Sequence, residues 1–264
     1  MQKSQIKEKL KSAIQIYKKT KDPRVSEVIE HLTKILSTSK SRNSLLDYAK
    51  HVYPGYKDPA HIKLIAKNLE SLEKGEINRL AVFMPPRHGK SMLCSEFFPA
   101  WYLGNNPKEF VIQSTYAQEL ADDFGRKVRN QIASPDFNSV FPQVGLRADS
   151  SSAKRFHTMQ GGTYSAVGAG GAITGRGAHL LIIDDPIKGR EDAESETQRR
   201  NLVEWYKSVA YTRLQPGGKI IIIQTRWHQD DLAGHILAES KEDWKVLDLP
   251  AIDDKGNALW PEAY

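Results

Sequence analysis

Apolar residues recur every three or four positions in the first quarter of the chain and then gather into short unbroken runs. Val25, Val28, Ile29, Leu32, Ile35 and Leu36 follow Asp22-Pro23, a capping carboxylate before a proline suited to a first helical turn, so an amphipathic helix is predicted there. A shorter stripe of Ile6, Leu10 and Ile14 precedes it, and Ser39-Lys40-Ser41-Arg42-Asn43 reads as a flexible joint. Residues 1–43 are therefore expected to form a helical hairpin that moves relative to a second unit, residues 44–264. Asp58-Pro59 repeats the cap signal and opens a helix through Ile62, Ile65, Ala66, Leu69 and Leu72 that stops at Gly75.

Beyond Gly75 the period changes. Leu80 to Met84, Phe110 to Ile112, Leu180 to Ile183, Ile220 to Ile223 and Val246-Leu247 are continuous apolar runs separated by helical patterns. Such runs suit strands buried on both faces and joined by helical crossovers. The expected class is α/β: three layers around a mainly parallel central sheet, with an N-terminal helical segment.

Composition narrows the setting. The chain has 264 residues, 39% of them apolar, a mean hydropathy of −0.53 and one cysteine. Cys94 alone forms no internal disulfide, no stretch approaches the ~18 apolar residues of a membrane span, and the Met1-Gln2-Lys3-Ser4 start lacks the apolar core of a signal peptide. A cytoplasmic protein with no membrane partner is expected. The net charge of +6 is uneven: residues 1–50 carry 12 basic and 5 acidic residues, leaving 26 against 27 in the remainder. That basic arm is either a solvated helical face or an electrostatic footprint for nucleic acid.

Three strand ends carry the candidate chemistry. The strand at 80–84 runs into Pro85-Pro86-Arg87-His88-Gly89-Lys90-Ser91 and then a helical pattern, the context of a phosphate-binding (Walker A) loop. There, backbone N–H groups face the phosphates, Lys90 neutralises their charge and the Ser91 hydroxyl ligates Mg²⁺. Met84 stands where the first glycine of that motif would fall, so a chance Gly-Lys-Ser at a helix start is the alternative. The strand at 180–183 delivers Asp184 and Asp185, a Walker B-like pair: Asp184 for the metal shell, Asp185 to orient or deprotonate the attacking water. The alternative is that both cap a helix around Glu191.

The strand at 220–223 ends in Gln224-Thr225-Arg226, a position from which to sense a γ-phosphate. His228, Asp230, Asp231 and His235 follow no established zinc spacing, and the two aspartates read as caps of a helix start. Gly168 to Gly177 lacks a strand-to-helix context and is expected to be a mobile loop presenting Arg176. Arg87 and Arg176 are candidates for contacting transferred phosphate; solvent exposure or an ordinary ion pair is the alternative for both.

Taken together, the motifs resemble the large terminase subunit of tailed bacteriophages and prophages, the ATPase that drives viral DNA into a preformed capsid. The resemblance is carried by Gly75-Glu76-Ile77-Asn78-Arg79-Leu80, Met84 to Ser91, Gly175-Arg176-Gly177-Ala178-His179, Ile182 to Lys188 and Thr225-Arg226-Trp227-His228 through Gly234, and spans residues 45–262. The missing first glycine is usual in that family. The resemblance implies a P-loop NTPase fold over 44–264, with Lys90 and Ser91 binding ATP and Mg²⁺ alongside His88 and Gly89. Asp184 becomes the metal-side carboxylate and Asp185 the catalytic one, where many relatives carry Glu. Thr225 and Arg226 match a motif coupling hydrolysis to movement. Arg87 matches a cis sensor of the γ-phosphate, Arg176 lies where a neighbouring subunit is reached, and His61 falls where relatives contact the adenine.

It further implies double-stranded DNA, a portal protein and a small terminase subunit as partners, a homo-oligomeric ring on the capsid, and the host cytoplasm as location. Relatives also carry a C-terminal nuclease domain. This chain stops where that domain would begin, and no separate nuclease acid triad is evident before residue 264, so no DNA cleavage is expected of it. Two rivals remain: a helicase-like nucleic-acid-dependent ATPase, and a nucleotide-switched assembly module whose hydrolysis is incidental. Asp185 speaks against the second, since a pure switch needs no catalytic carboxylate.

Overall fold

The computed structural model describes residues 3–173 and 175–263; of the positions read above, Met1, Gln2, Thr174 and Tyr264 lie outside them. Two helices open it, α1 (Lys3–Thr20) and α2 (Pro23–Asn43), packed against each other. Asp22 caps α2 as its sequence predicts, accepting a hydrogen bond from the Arg24 amide while Pro23 takes the first turn. The strip they bury is thin: Ile6, Ala13 and Leu32 are covered, whereas Ile14 and Val28 stay exposed.

The expected joint at 39–43 is absent. α2 continues through it because tertiary contacts hold it there: Ser41 is buried, its carbonyl accepts the Trp101 indole N–H at 3.1 Å, and the Arg42 guanidinium donates to the Val140 carbonyl at 3.1 Å. Small polar residues favour loops only where nothing else decides. The chain then turns at Ser44 into α3 (Leu45–Val52). The helix announced by Asp58-Pro59 is α4 (Ala60–Glu73), but Pro59 holds the cap position and no side chain caps it. Asp58 lies one residue too early and pairs with Lys50 at 2.8 Å instead.

From there strands and helices alternate: β1 (Arg79–Phe83), a π-helical turn at Met92–Phe97, α5 (Phe98–Asn105), β2 (Phe110–Thr115), α6 (Gln118–Ile132) and α7 (Pro135–Val140). β3 (Leu146–Ser151), β4 (Arg155–Thr158), β5 (Thr163–Gly168) and β6 (Ala178–Asp184) follow, then α8 (Arg190–Glu194), α9 (Glu196–Trp205), β7 (Leu214–Gln224), α10 (Leu232–Glu239) and β8 (Lys245–Asp248). All strands join one sheet in the order β3-β4-β5-β2-β6-β7-β1-β8, with antiparallel pairing only of β4 with β3 and β5. The five apolar runs are β1, β2, β6, β7 and β8, all in parallel pairing, and β5 adds a sixth parallel strand beside β2. β3, β4 and β5 were not predicted, because Leu146-Arg147-Ala148-Asp149-Ser150 and Thr163-Tyr164-Ser165-Ala166 mix polar and small residues and carry no continuous apolar run.

One face of the sheet packs on α3 to α7 through Tyr48, Ile65, Phe98, Val128 and Phe137; the other packs on α8 to α10 through Ala193, Leu202, Ala233 and Ile236. The glycine-rich segment after β5 returns along this second face to the start of β6. Its first part, residues 168–173, is anchored rather than free: Ile173 is fully buried, the Ala169 amide donates to the Thr115 carbonyl at 2.7 Å, and the Trp205 indole donates to the Gly171 carbonyl at 2.9 Å. A Cβ on Gly168 would stand 2.9 Å from the Gln118 amide nitrogen, so the close approach needs glycine.

Candidate active site

Parallel strands end at one edge of the sheet, and β1, β7 and β6 end there side by side. Phe83 pairs with Gln224 and Asp184 with Ile223, so the loop after β1, Thr225 and Asp185 leave the sheet at nearly one level. The loop from Met84 to Ser91 needs two left-handed residues, Arg87 at φ 63° and Gly89 at φ 87°. At Gly89 a Cβ would also press on Ile62 Cδ1 at 3.2 Å. Arg87 adopts its conformation at a cost of about 1 kcal/mol and carries an exposed side chain.

Lys90, 4% exposed, points back over the strand ends. Its ammonium donates to the Met84 carbonyl at 3.4 Å and to the Thr225 hydroxyl, and pairs with Asp185 Oδ2 at 3.0 Å. Asp185 is itself left-handed at φ 42°, and its Oδ1 accepts the Thr225 amide at 2.6 Å. Lys90, Asp185 and Thr225, read separately from three strands, thus form one closed cluster.

Asp184 lies behind them, 1% exposed. Burial pushes its carboxyl up to about 7, the neighbouring Asp185 charge adds to this, and hydrogen bonds from Ser95 and Ser91 oppose it together with Lys90. Oδ2 accepts the Ser95 hydroxyl at 2.6 Å, while Oδ1 has no hydrogen bond of ordinary geometry among the described residues. An orphaned carboxylate oxygen near serine hydroxyls is a hard-oxygen set of the kind magnesium would take. Ser91 and Asp184 therefore fit that ion. Among the described residues no group of three or more His, Cys, Asp or Glu side chains could hold a metal by itself.

The raised carboxyl has a consequence for stability. Folded Asp184 holds its proton more tightly than the unfolded chain does, so the stability linked to that proton is complete below about pH 4 and is lost as the pH rises through about 7. In thermal melts without nucleotide, Asp184→Asn is expected to unfold at a higher temperature than the parent at pH 8, with the gap narrowing at pH 5. Equal differences at the two pH values would contradict the buried-carboxyl assignment.

The remaining predicted residues divide. Gln224 is 2% exposed with neither amide atom partnered, at the end of β7 beside the cluster. Arg226 is nearby but engaged elsewhere: it donates to Asp231 Oδ2 at 2.7 Å and to the Gln229 carbonyl at 2.9 Å, and lies over the Phe83 ring. Of the two aspartates read as caps, Asp231 caps α10, its side chain accepting the Gly234 amide at 2.9 Å, whereas Asp230 is not the cap and its amide donates to His228 Nδ1 at 3.0 Å. Asp184 and Asp185 cap no helix, since Gly189 holds the cap position of α8 and no side chain caps it.

His61 is 3% exposed, and both its ring nitrogens face main-chain carbonyls, Nε2 that of His88 at 3.0 Å and Nδ1 that of Leu259 at 3.3 Å. Packed edge-on against Trp260, it ties α4, the phosphate loop and the C-terminal segment together, and presents no free ring edge to a base. His88 also turns inward, its Nδ1 2.8 Å from the Pro86 carbonyl.

Arg176 stands at the other end of the sheet. It precedes β6, whose length of about 20 Å separates it from Asp184. Burial, and then Arg155, hold its guanidinium below the usual arginine range. Sequence reading missed Ser95, Leu259 and Trp260; only the spacing of Ser95, one helical turn after Ser91, could have pointed to the first.

A family model for the terminase large subunit, T4likevirus-type, N-terminal, matches residues 82–262. Among solved structures, the chain is similar to the HK97 bacteriophage large terminase, with 14% sequence identity and a TM-score of 0.50 over 71% of this chain and 39% of that one. At that identity the likeness is one of fold, and the chain spans well under half of the matched protein. No curated protein matches it.

Proposed function

From the premise that the chain belongs to the terminase large subunits, matching their N-terminal part, we propose that it binds and hydrolyses ATP with Mg²⁺ and that hydrolysis drives double-stranded DNA into a procapsid. The observation that carries this reading is the convergence of Lys90, Asp184, Asp185 and Thr225 from three neighbouring strand ends onto a strained glycine-lysine-serine loop.

Each side chain then has one task. Lys90 exchanges the Asp185 carboxylate for the β- and γ-phosphates, which offer more negative charge within the same reach. That exchange frees Asp185 to orient the attacking water. Ser91 and Asp184 hold the magnesium ion, which when bound offsets phosphate charge. Gln224 has an unsatisfied amide to offer to that water or to the γ-phosphate, and Arg87 has a solvent-facing guanidinium for the same oxygen atoms. The portal and small-subunit partners, and a ring of copies on the capsid, belong to the same proposal.

In such a ring Arg176 completes a neighbour's site, since its place at the start of β6 keeps it from its own. Arg176→Ala and Asp185→Asn chains, each inactive in assembled rings, are expected to recover ATP hydrolysis when mixed, because some interfaces then pair an intact site with an intact arginine. Flat activity at every mixing ratio would count against the trans role.

The proposal as a whole is tested by measuring ATP affinity and phosphate release with and without Mg²⁺ and duplex DNA. Mg²⁺-dependent hydrolysis that duplex DNA accelerates is the expected result. Absence of nucleotide binding overturns it, and ATP-driven separation of the duplex strands replaces packaging with the helicase reading.

A further inference from the structure

Behind the site, buried polar groups that the roles above leave unused run from Asp184 into the core. The Ser95 hydroxyl donates to Asp184 Oδ2 at 2.6 Å, Gln113 Nε2 donates to the Ser95 carbonyl at 3.1 Å, and the Tyr164 hydroxyl donates to Gln113 Oε1 at 3.0 Å. None of the four is more than 1% exposed. A buried glutamine and serine are costly unless fully bonded, and here each bond leads toward the same carboxylate.

The local sequence explains why Ser95 is available. In an α-helix its carbonyl would accept the amide of residue 99, which is a proline and has none. The turn Met92–Phe97 is instead π-helical, with the Phe98 amide reaching back to the Leu93 carbonyl. The freed Ser95 carbonyl is taken by Gln113 on β2, and the hydroxyl of the same residue reaches β6.

We propose that Ser95 is a positioning residue for the metal-side carboxylate: its hydroxyl fixes Asp184 Oδ2, so that Oδ1, which has no hydrogen bond of ordinary geometry among the described residues, is left available to the magnesium ion. This rests on the ATP-binding reading of the site. Ser95 touches neither nucleotide nor metal; it acts by denying Asp184 other orientations, as partners behind metal ligands commonly do, with losses of 10- to 100-fold in metal affinity when they are removed.

The test compares two affinities of each protein, for ATP in excess Mg²⁺ and for ATP in EDTA, by calorimetric titration. Ser95→Ala is expected to weaken Mg·ATP binding about tenfold while leaving the EDTA value unchanged. Ser114→Ala removes a buried hydroxyl that has no partner and is expected to change neither. If Ser95→Ala does not fold, Ser95→Cys has similar bulk and a weaker donor, and is expected to shift the same ratio by a smaller factor. A ratio equal to that of the parent, or a parallel fall in both affinities, overturns the positioning role while the ATP-binding reading stands. A parent chain whose ATP binding ignores Mg²⁺ overturns that reading and this one with it.

Discussion

Lys90→Ala is expected to weaken ATP binding by about 10²- to 10⁴-fold, the range that follows from removing one partner of a buried charge pair. The ammonium is 4% exposed and its three acceptors are the Met84 carbonyl, the Thr225 hydroxyl and Asp185. Nothing else in the loop carries a buried positive charge: the Arg87 side chain is exposed, and Arg226 is held by Asp231. Phosphates entering the loop would therefore meet no buried positive charge of the protein. The empty protein should suffer less, because the Asp185 side chain is 30% exposed and can be hydrated once its partner is gone. Calorimetric titration with ATP, beside a thermal melt to show that the variant folds, measures both. A dissociation constant within threefold of the parent would remove Lys90 from the site.

Asp185→Asn should do the opposite, keeping ATP affinity or tightening it while lowering turnover about 10²- to 10⁴-fold, the usual worth of a positioned base. Without nucleotide, Asp185 competes with phosphate for Lys90 at 3.0 Å; asparagine has no charge with which to compete. The substitution also leaves the backbone undisturbed, since asparagine adopts the left-handed conformation that Asp185 holds at φ 42° as readily as aspartate. Loss of turnover would then be loss of the carboxylate itself. Single-turnover phosphate release at saturating ATP separates the two effects, and an Asn variant that turns over normally would show that no base at Asp185 is needed and leave the orienting of the water to a neutral neighbour such as the Gln224 amide.

Much of this site was legible in the sequence because it is written in consecutive residues. A buried parallel strand needs a run of apolar side chains, and the residue that ends the run leaves the sheet at its edge; Met84, Asp184 with Asp185, and Gln224 with Thr225 were found in that way. What could not be read was direction and distance. Arg176 is close to Asp184 in sequence, yet β6 lies between them. His61 carries a ligand-type side chain, yet carbonyls from residues 88 and 259 stand against its two ring nitrogens. Arg226 follows Thr225 directly, yet it turns to Asp231.

The sequence by itself determined the α/β class, five of the six strands in parallel pairing, the cap of α2, and the residue types that meet at the strand ends, because periodicity, proline position and run length act through local backbone geometry. Only the tertiary structure decided that β7 lies between β1 and β6, that three polar stretches complete the sheet, that residues 39–43 are helix rather than joint, and that Lys90 and Asp185 pair across it. The physical reason is the same in each case. Strand order, the pinning of the glycine-rich return by Ile173 and Trp205, and the bond from Ser95 to Asp184 depend on groups tens of residues apart, and no local preference encodes which of them will be neighbours once the core has closed.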